Sequence, residues 1–284
     1  PVGFTTSKKS ITTSFSLKPA ESALLFVSNR GAGKSNSEKT GSEVPIEIKP
    51  VVSRRLNQNA LTLDYCSIRL EKVKTGPLYF YQAQTLIFKQ HGFNKNPWDN
   101  GVQFKSMLLD KDTFPENSGF EATYAFKINV GTETTGMRAV VERPEYFKVE
   151  VNGIPIDPIP AEWYLDKDFA VYDLAKLVKE GLNSLTLKVK PMRILAELEP
   201  VYLLGNFSLT SEKQGYSISP VTEIGTGSWK TSGMPMYSGK VSYSSTFNVD
   251  QSTNKKVIFK AGLWQGVVAE LRVNDQSAGI ILNS

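Results

Sequence analysis

The sequence predicts an all-β protein made of tandem β-sandwiches of the jelly-roll type, and three observations lead to this. Segments in which apolar and polar residues alternate recur along the chain, for example at 61–70, 147–151 and 185–189. Such alternation indicates antiparallel strands with one face in the core and the other in water. Gly, Pro, Asn and Asp separate these segments at short intervals, and helical periodicity is scarce. This combination is typical of sandwiches and jelly rolls.

The alternation also places individual strands. In chain order, strands are expected at 15–17, 24–27, 61–70, 124–128, 147–151 and 185–189. One short helix is expected over 172–181, with Asp173 as its cap and Gly181 as its stop. Residues 30–43 and 91–103 are predicted loops, because the first is rich in Gly, Ser and charge and the second carries Pro97.

A weak internal repeat relates residues 120–153 to residues 241–275. Each copy has an alternating run that ends in Phe, then a gap, then Val-Asn-Gly or Val-Asn-Asp. Asn152-Gly153 and Asn274-Asp275 suit tight hairpins, in which both turn residues need positive φ. The repeat predicts two related sandwich units, the second of them short of its closing strands.

Length and composition set the domain organisation. A chain of 284 residues suggests about two domains. We expect tail strands of a preceding domain plus a linker at 1–55, a first sandwich module at 56–193 and a second, truncated module at 194–284. Residues 198–207 are predicted to join the two modules through a buried interface. The start at Pro1 has neither an initiator Met nor a signal-peptide pattern, so we expect a piece of a longer polypeptide.

Residue counts exclude several kinds of site. The only cysteine is Cys66 and the only histidine is His91, which rules out internal disulfides, cysteine zinc sites and sites that need two histidines. The net charge of +5 is spread along the chain, with no basic run longer than a pair, which indicates a solvated surface and no nucleic-acid partner. No apolar run approaches the ~18 residues of a membrane span.

Several segments together resemble a known family. They are residues 11–27, 59–65, 142–153, 198–207, 233–239 and 264–275. The most specific are Leu-Glu-Pro-Val-Tyr-Leu-Leu-Gly-Asn-Phe at 198–207 and the stretch that begins with Gly-Met-Pro-Met-Tyr-Ser-Gly at 233–239. They are similar to the C-terminal region of large glycoside hydrolases, especially the α-L-rhamnosidase-like enzymes of glycoside hydrolase family 106 and their family 2-type relatives.

That resemblance implies galactose-binding-like sandwich modules of a bacterial enzyme that acts on plant-type polysaccharide. It implies that the enzyme is periplasmic, secreted or located at the cell surface. It implies two partners, a carbohydrate and an upstream catalytic domain of the same polypeptide. No catalytic barrel lies in this chain, so no acid or base is carried over and the chain's own enzymatic activity stays open. Asp275 stands where a hairpin glycine is usual in the family.

Several motifs have a chemical and a structural interpretation. Residues 30–35 end in Gly-Lys-Ser, but Ser28 stands where a phosphate-binding loop needs its first glycine, so a hairpin loop is favoured. A catalytic triad with His91 would need a serine in a strained Gly-x-Ser-x-Gly turn, and the sequence has no such motif. A packed histidine in a loop is therefore favoured. Asp110 and Asp112 are too few ligands for calcium, so no metal residue and no cofactor are assigned, although a structural calcium suits such sandwiches.

Two carboxylate pairs have i, i+2 spacing, namely Glu197/Glu199 and Asp166/Asp168. On a strand such a pair lies about 7 Å apart on one face, a distance that glycoside hydrolysis permits. Both pairs fall at predicted strand ends or turns, so structural hydrogen bonding is the favoured role and no catalytic residue is assigned.

Aromatic rings that stack on sugar faces, with polar neighbours for the hydroxyls, are the strongest candidate site. Trp98 lies in a polar loop beside Asn96 and Asp99 and is the best candidate for a ligand contact. Trp163 and Trp264 are further candidates, and Trp264 also suits the support of a hairpin. The resemblance implies non-catalytic accessory modules that support the catalytic domain or hold glycan near it; the alternative is a structural or interaction scaffold without a ligand.

Overall fold

A computed structural model of the chain describes residues 4–7, 10–16, 45–49, 51–99, 113–249, 257–260, 262 and 264–282. These residues are mostly β-strands in several sheets, with one α-helix, so the all-β prediction is confirmed. The strands are β1 Phe4–Thr6, β2 Ile11–Thr13, β3 Val52–Arg55, β4 Asn59–Leu63, β5 Tyr65–Arg69, β6 Lys74–Tyr79, β7 Phe120–Ile128, β8 Arg138–Glu142, β9 Lys148–Val151, β10 Ile154–Ile156, β11 Trp163–Tyr164, β12 Asp166–Asp173, β13 Gly181–Val189, β14 Val201–Gly205, β15 Ser208–Ser211, β16 Tyr216–Ser219, β17 Val241–Ser244, β18 Val268–Val273 and β19 Gln276–Leu282.

Contacts divide the chain into two units. A central unit covers Lys49–Thr246, and a terminal unit combines Pro1–Ile48 with Phe247–Ser284. In the terminal unit β1 pairs with β2 and β18 pairs with β19. The sequence places a module boundary between residues 193 and 194; in the structure β14 and β16, which follow that point, pair with β8 and β7, which precede it.

Two sheets form most of the central unit. The first has eight strands in the order β10-β9-β13-β7-β16-β15, with β5 beside β7 and β6 beside β5. The second has five strands in the order β11-β12-β8-β14-β4. All of these pairs are antiparallel except β16 with β7. A two-stranded sheet, β17 with β3, also belongs to this unit.

The alternating faces of these strands build one main core. From the five-stranded sheet it takes Leu61, Ala139 and Leu203, and from the eight-stranded sheet it takes Tyr124 and Leu187. Each side chain belongs to the apolar set of an alternating strand, which is why the pattern predicts burial. The predicted burial of 198–207 is confirmed at Leu198, Leu203 and Phe207, none of which is measurably exposed. The architecture is therefore sandwich-like.

The opposite, outer face of the five-stranded sheet carries a smaller apolar cluster. Val140, Val171 and Leu204 are buried there. Tyr164, Phe169 and Tyr202 are half-buried against them, together with Ala60 and Ile159. Both faces of this sheet are thus partly apolar, so this face is not simply the solvated back of a sandwich.

Both predicted hairpins are confirmed. Asn152 and Gly153 have φ of 51° and 82° between β9 and β10, and Asn274 and Asp275 have φ of 49° and 64° between β18 and β19. Asn and Asp tolerate this left-handed region because their side chains bond locally to the backbone. Asp275 therefore replaces the usual glycine without loss of the turn.

The helix prediction at 172–181 is wrong. Tyr172 and Asp173 end β12, where Tyr172 pairs with Ala139 of β8, and a single turn at 175–177 follows. Asp173 does cap that turn, since its Oδ1 accepts the N–H of Ala175 at 2.9 Å. The pairing with β8 and the burial of Tyr172 override a weak helical preference.

The α-helix that forms, α1 at Phe80–Gln90, follows β6 without a loop. It buries Ala83, Gln84, Ile87 and Phe88 on one face. Its Tyr79 cap makes no side-chain hydrogen bond, so the usual start signal is missing. In the strand predicted at 15–17, Phe15 and Ser16 are irregular, and residues 91–99 of the predicted loop at 91–103 are irregular too. The remaining parts of these predictions, at 17, 24–27, 30–43 and 100–103, lie outside the described residues.

Candidate functional site

A cleft of about 620 Å³ opens on the outer face of the five-stranded sheet. We call it the outer-face cleft, and it lies wholly within the central unit. Its lining comes from the segments 56–60, 164–165 and 236–240 and from Leu204. The lining residues are Leu56, Asn57, Gln58, Ala60, Tyr164, Leu165, Leu204, Met236, Tyr237, Ser238, Gly239 and Lys240. The volume falls in the range of about 300–1,000 Å³ that small-molecule sites occupy.

The floor of the cleft is sheet. Ala60 of β4 and Leu204 of β14 are direct cross-strand partners and both belong to the outer apolar cluster. Because the neighbouring strands fix both residues, the floor is a rigid apolar surface.

One wall is the tight turn from β11 to β12. Tyr164 pairs with Asp166 across this turn, so Leu165 occupies its tip. Leu165 has φ of 64° and is 80 % exposed. A left-handed backbone is costly for a leucine, and strain of this kind concentrates at functional sites. The wall therefore offers an exposed apolar tip beside the Tyr164 ring.

The other wall is the segment 236–240, which hydrogen bonds attach to residues 56–57. The Tyr237 hydroxyl donates to the Lys240 carbonyl at 2.6 Å and accepts the Asn57 N–H at 3.2 Å. The Tyr237 ring also meets the Trp229 ring edge-on, with 5.7 Å between centroids. A Cβ at Gly239 would lie 2.7 Å from Tyr237 Cζ, so the chain can approach the ring this closely only with glycine there.

Amide groups supply the polar part of the lining. Asn57 Oδ1 accepts the Lys240 N–H at 2.9 Å, and Gln58 Nε2 donates to the Gly136 carbonyl at 3.2 Å. Both residues are exposed. Rings, apolar side chains and amides in one concave surface form the arrangement that contacts the C–H faces and hydroxyls of a sugar.

A second cleft, of about 560 Å³, lies between β9, β10 and β12. Its lining includes three prolines and the charged residues Glu145, Lys148 and Asp157, but no amide side chain. The Phe147 ring in it already packs edge-on against Phe120 at 6.4 Å. The outer-face cleft is therefore the better candidate for a polar, ring-shaped ligand.

Trp98, the favoured ligand residue from the sequence, is half-buried against the main core. Its Nε1 donates to the Ile194 carbonyl at 3.2 Å, and the Arg143 guanidinium lies 5.8 Å from its ring centroid. Asn96 is fully buried and its Oδ1 accepts the Trp98 N–H at 3.0 Å. Asp99 accepts the Tyr81 hydroxyl at 2.7 Å. These contacts fix the Trp98 loop in place.

The other tryptophans differ in exposure. Trp163 on the edge strand β11 is 52 % exposed and precedes the cleft residue Tyr164 without lining the cleft itself. Trp264, in the terminal unit, packs over Gly266, where a Cβ would lie 2.7 Å from its Cζ3. Gly266 lies two residues before the start of β18. Trp229 donates from Nε1 to the Tyr243 hydroxyl at 2.6 Å.

Three glutamates gather at the other end of the outer face. Burial first, and then the nearby carboxyls of Glu197 and Glu142, raise the pKa of Glu199 to about 8. The pKa of Glu142 is raised by burial as well, while Arg143 opposes the increase. Glu197 also raises the Glu199 pKa through a side-chain hydrogen bond.

His91 has a structural role. Its Nδ1 donates to the Ile87 carbonyl at 2.8 Å, which leaves Nε2 to accept the Gly119 N–H at 3.2 Å. Within the described ranges no group of three or more His, Cys, Asp and Glu side chains could hold a metal ion. Asp110, Asp112 and the Gly-Lys-Ser motif at 33–35 lie outside these ranges. No helix in the described part of the chain has the length and hydropathy to cross a membrane.

Neither the scan of protein-family models nor the search of curated proteins found a match to this chain.

Sequence reasoning missed most of the outer-face cleft. One signal lay beside it, since Tyr164 directly follows Trp163, which the sequence predicts as a ligand residue. Asn57, Gln58 and Leu165 carry no local pattern, because the sheet and the Tyr237 hydrogen bonds alone bring them together.

Proposed function

We propose that this chain consists of non-catalytic accessory modules of a bacterial glycoside hydrolase, and that its central unit binds glycan in the outer-face cleft. The observation that carries the proposal is the lining of this cleft. Tyr164 and Tyr237 offer rings, Leu165 an apolar tip, and Asn57 and Gln58 amides, on an apolar sheet floor. Sugar recognition needs rings and amides together in one concave surface.

The finer fold is part of the same proposal. Two sheets that share a core, with a tight Asn-Gly hairpin, suit a jelly-roll sandwich of the galactose-binding-like type. The residues at 198–207 and 233–239 support kinship with the α-L-rhamnosidase-like enzymes of family 106. On that basis the partners are a plant-type polysaccharide and an upstream catalytic domain, and the location is the periplasm, the cell surface or the medium.

In this proposal the glycan contacts lie in the outer-face cleft and not in the Trp98 loop. Trp98, Asn96 and Asp99 belong to a fixed loop in which side-chain groups of all three are engaged. The cleft residues Gln58 and Leu165 are exposed, whereas Trp98 and Asp99 are half-buried and Asn96 is buried; the Gln58 side chain donates from Nε2 to the Gly136 carbonyl. Gln58 and Leu165 therefore contact the glycan in this proposal, and Trp98 supports the fold.

The test is binding of the full chain to an array of plant and bacterial glycans, with hits measured by affinity electrophoresis. Gln58→Ala and Leu165→Ala should each weaken binding severalfold. Gln214→Ala and Leu182→Ala are matched controls, because both residues are exposed and neither lines the cleft. They should bind as the wild type does.

Other outcomes are equally informative. Binding that survives both cleft variants but is lost in a folded Trp98→Ala variant would return the site to the loop at 96–99. Absence of binding to every glycan would leave the scaffold alternative, in which these sandwiches only support a catalytic domain.

A further inference from the structure

The charge of the outer-face cleft is unbalanced. Of its twelve lining residues only Lys240 is ionised at neutral pH, and none is a carboxylate. Lys240 is exposed, and no ion pair to it is found among the described residues. A ligand in this cleft would meet one positive charge and no negative one.

The backbone of Lys240 is held at the edge of the cleft by three hydrogen bonds. Its N–H donates to Asn57 Oδ1 at 2.9 Å. Its carbonyl accepts the Leu56 N–H at 2.9 Å and the Tyr237 hydroxyl at 2.6 Å. The position of the Cα is therefore fixed, while the flexible stem of the side chain can carry the ammonium to a ligand.

The other cation on this face is already neutralised. Arg138 is the cross-strand neighbour of Leu204, so it lies in the row of the cleft floor. Its guanidinium pairs with the carboxylate of Glu162. The uncompensated charge that lines the cleft is thus that of Lys240 alone.

Three glutamates of the outer face, Glu142, Glu197 and Glu199, lie at its far end, while Glu162 is already paired with Arg138. Glu142 is four residues along β8 from Arg138, which corresponds to about 13 Å on a strand. Glu197 and Glu199 are close to Glu142, since Glu197 raises the pKa of Glu142 and Glu142 raises the pKa of Glu199. An anion beside Lys240 would therefore be far from these three glutamates.

We infer that the outer-face cleft binds an acidic sugar, one monosaccharide unit with a carboxylate or a sulfate ester whose charge pairs with the ammonium of Lys240. The inference rests on the proposed function, since it names the ligand class of the same cleft. The rings and amides hold the sugar ring, and Lys240 selects the anionic substituent. The ammonium can only donate a hydrogen bond to a hydroxyl of a neutral sugar, whereas it forms an ion pair with an anionic substituent. Acidic sugars therefore bind more tightly than neutral ones.

The experiment compares three oligosaccharides of equal length by calorimetric titration of the full chain: oligogalacturonate, sulfated oligogalactose and neutral oligogalactose. We expect at least one acidic form to bind more tightly than the neutral one. Lys240→Gln should weaken that binding roughly threefold to fivefold, as for a partly exposed ion pair, and should weaken neutral binding by a smaller factor. Higher ionic strength should weaken acidic binding in the wild type but not in Lys240→Gln.

Lys213→Gln is the matched control, because Lys213 is exposed in the β15–β16 turn and does not line the cleft. If Lys213→Gln also loses acidic binding, the overall charge of the protein and not Lys240 attracts the acidic sugar, and the inference is overturned. Equal binding of acidic and neutral sugars, insensitive to Lys240→Gln, would overturn the inference and leave the proposed function standing. Failure of all three sugars and of the wider glycan array would remove the proposed function itself.

Discussion

Tyr237 accepts a hydrogen bond from the backbone N–H of Asn57, a residue 180 positions earlier in the chain. The same hydroxyl donates to Lys240, whose N–H returns to the side chain of Asn57. One phenol therefore closes a ring of hydrogen bonds at the edge of the outer-face cleft. The stability of this wall and its shape both depend on that ring.

Tyr237→Phe tests this relationship. The variant keeps the aromatic ring but loses two hydrogen bonds, so it should lower the free energy of unfolding by about 1–3 kcal/mol. Urea denaturation monitored by fluorescence measures the change. Tyr65→Phe is the control, because no hydrogen bond of the Tyr65 hydroxyl is found within the described ranges. Equal stability of Tyr237→Phe and the control would contradict the assignment.

Asn59 is fully buried and fixes the start of β4. Its Nδ2 donates to the carbonyls of Phe207 and Gly233, both at 3.0 Å, and its Oδ1 accepts the Ala60 N–H at 3.1 Å. Asn59→Ala would leave these backbone groups unpaired, at a cost of about 2–4 kcal/mol.

Asn59→Asp is the sharper variant, because it has almost the same shape but cannot donate to two carbonyls. Thermal unfolding should show a marked decrease in Tm for both variants. An Asn59→Asp protein that melts like the wild type would show that the two donated bonds contribute nothing.

Glu199 makes stability depend on pH. Its pKa is raised in the folded state, by burial first and then by Glu197 and Glu142, from 4.5 to about 8. The folded protein therefore holds this proton more tightly than the unfolded chain. Its contribution to stability is complete below about pH 4.5 and is lost as the pH rises towards 8.

The measurement is Tm from pH 5 to pH 8.5 for the wild type, Glu199→Gln and the exposed control Glu223→Gln. The wild type and the control should lose stability across this window. Glu199→Gln should show a flatter profile, because its amide stays neutral. An unchanged slope in Glu199→Gln would assign the pH dependence to another group.

Trp98 and Trp163 should respond differently to truncation. Trp98 packs on the core and donates from its indole, so Trp98→Ala should cost about 3 kcal/mol. Trp163 is half exposed at a sheet edge, and Trp163→Ala should change stability by about 0.5 kcal/mol or less. Denaturant titration of both variants measures the difference, and similar costs would refute the assigned roles.

The sequence predicted those strands and turns that are determined by residues adjacent in the chain. Alternation located β4, β7, β9 and β13, and the Asn-Gly and Asn-Asp pairs located both hairpins, because φ above zero selects those residues. The helix α1 was missed because it starts at Phe80, directly after a strand, with no capping side chain.

The candidate site escaped prediction for a different reason. Gln58, Leu165 and Lys240 come from three segments that only the strand order brings together. Trp98 drew attention because its neighbours are polar, yet those neighbours use their polarity to hold the loop. Polar residues next to a tryptophan indicate a ligand only where their groups are not already engaged.

The place of β14 between β8 and β4 has a consequence for how the protein is made. On the ribosome, β4 and β8 emerge long before residues 201–205, and neither can complete its pairing in the five-stranded sheet until those residues arrive. Nascent chains therefore carry two open strand edges, which invite intermolecular pairing. Such long-range closure is slow, so this unit should complete its folding only after residues 201–205 have emerged and gain from chaperone protection until then.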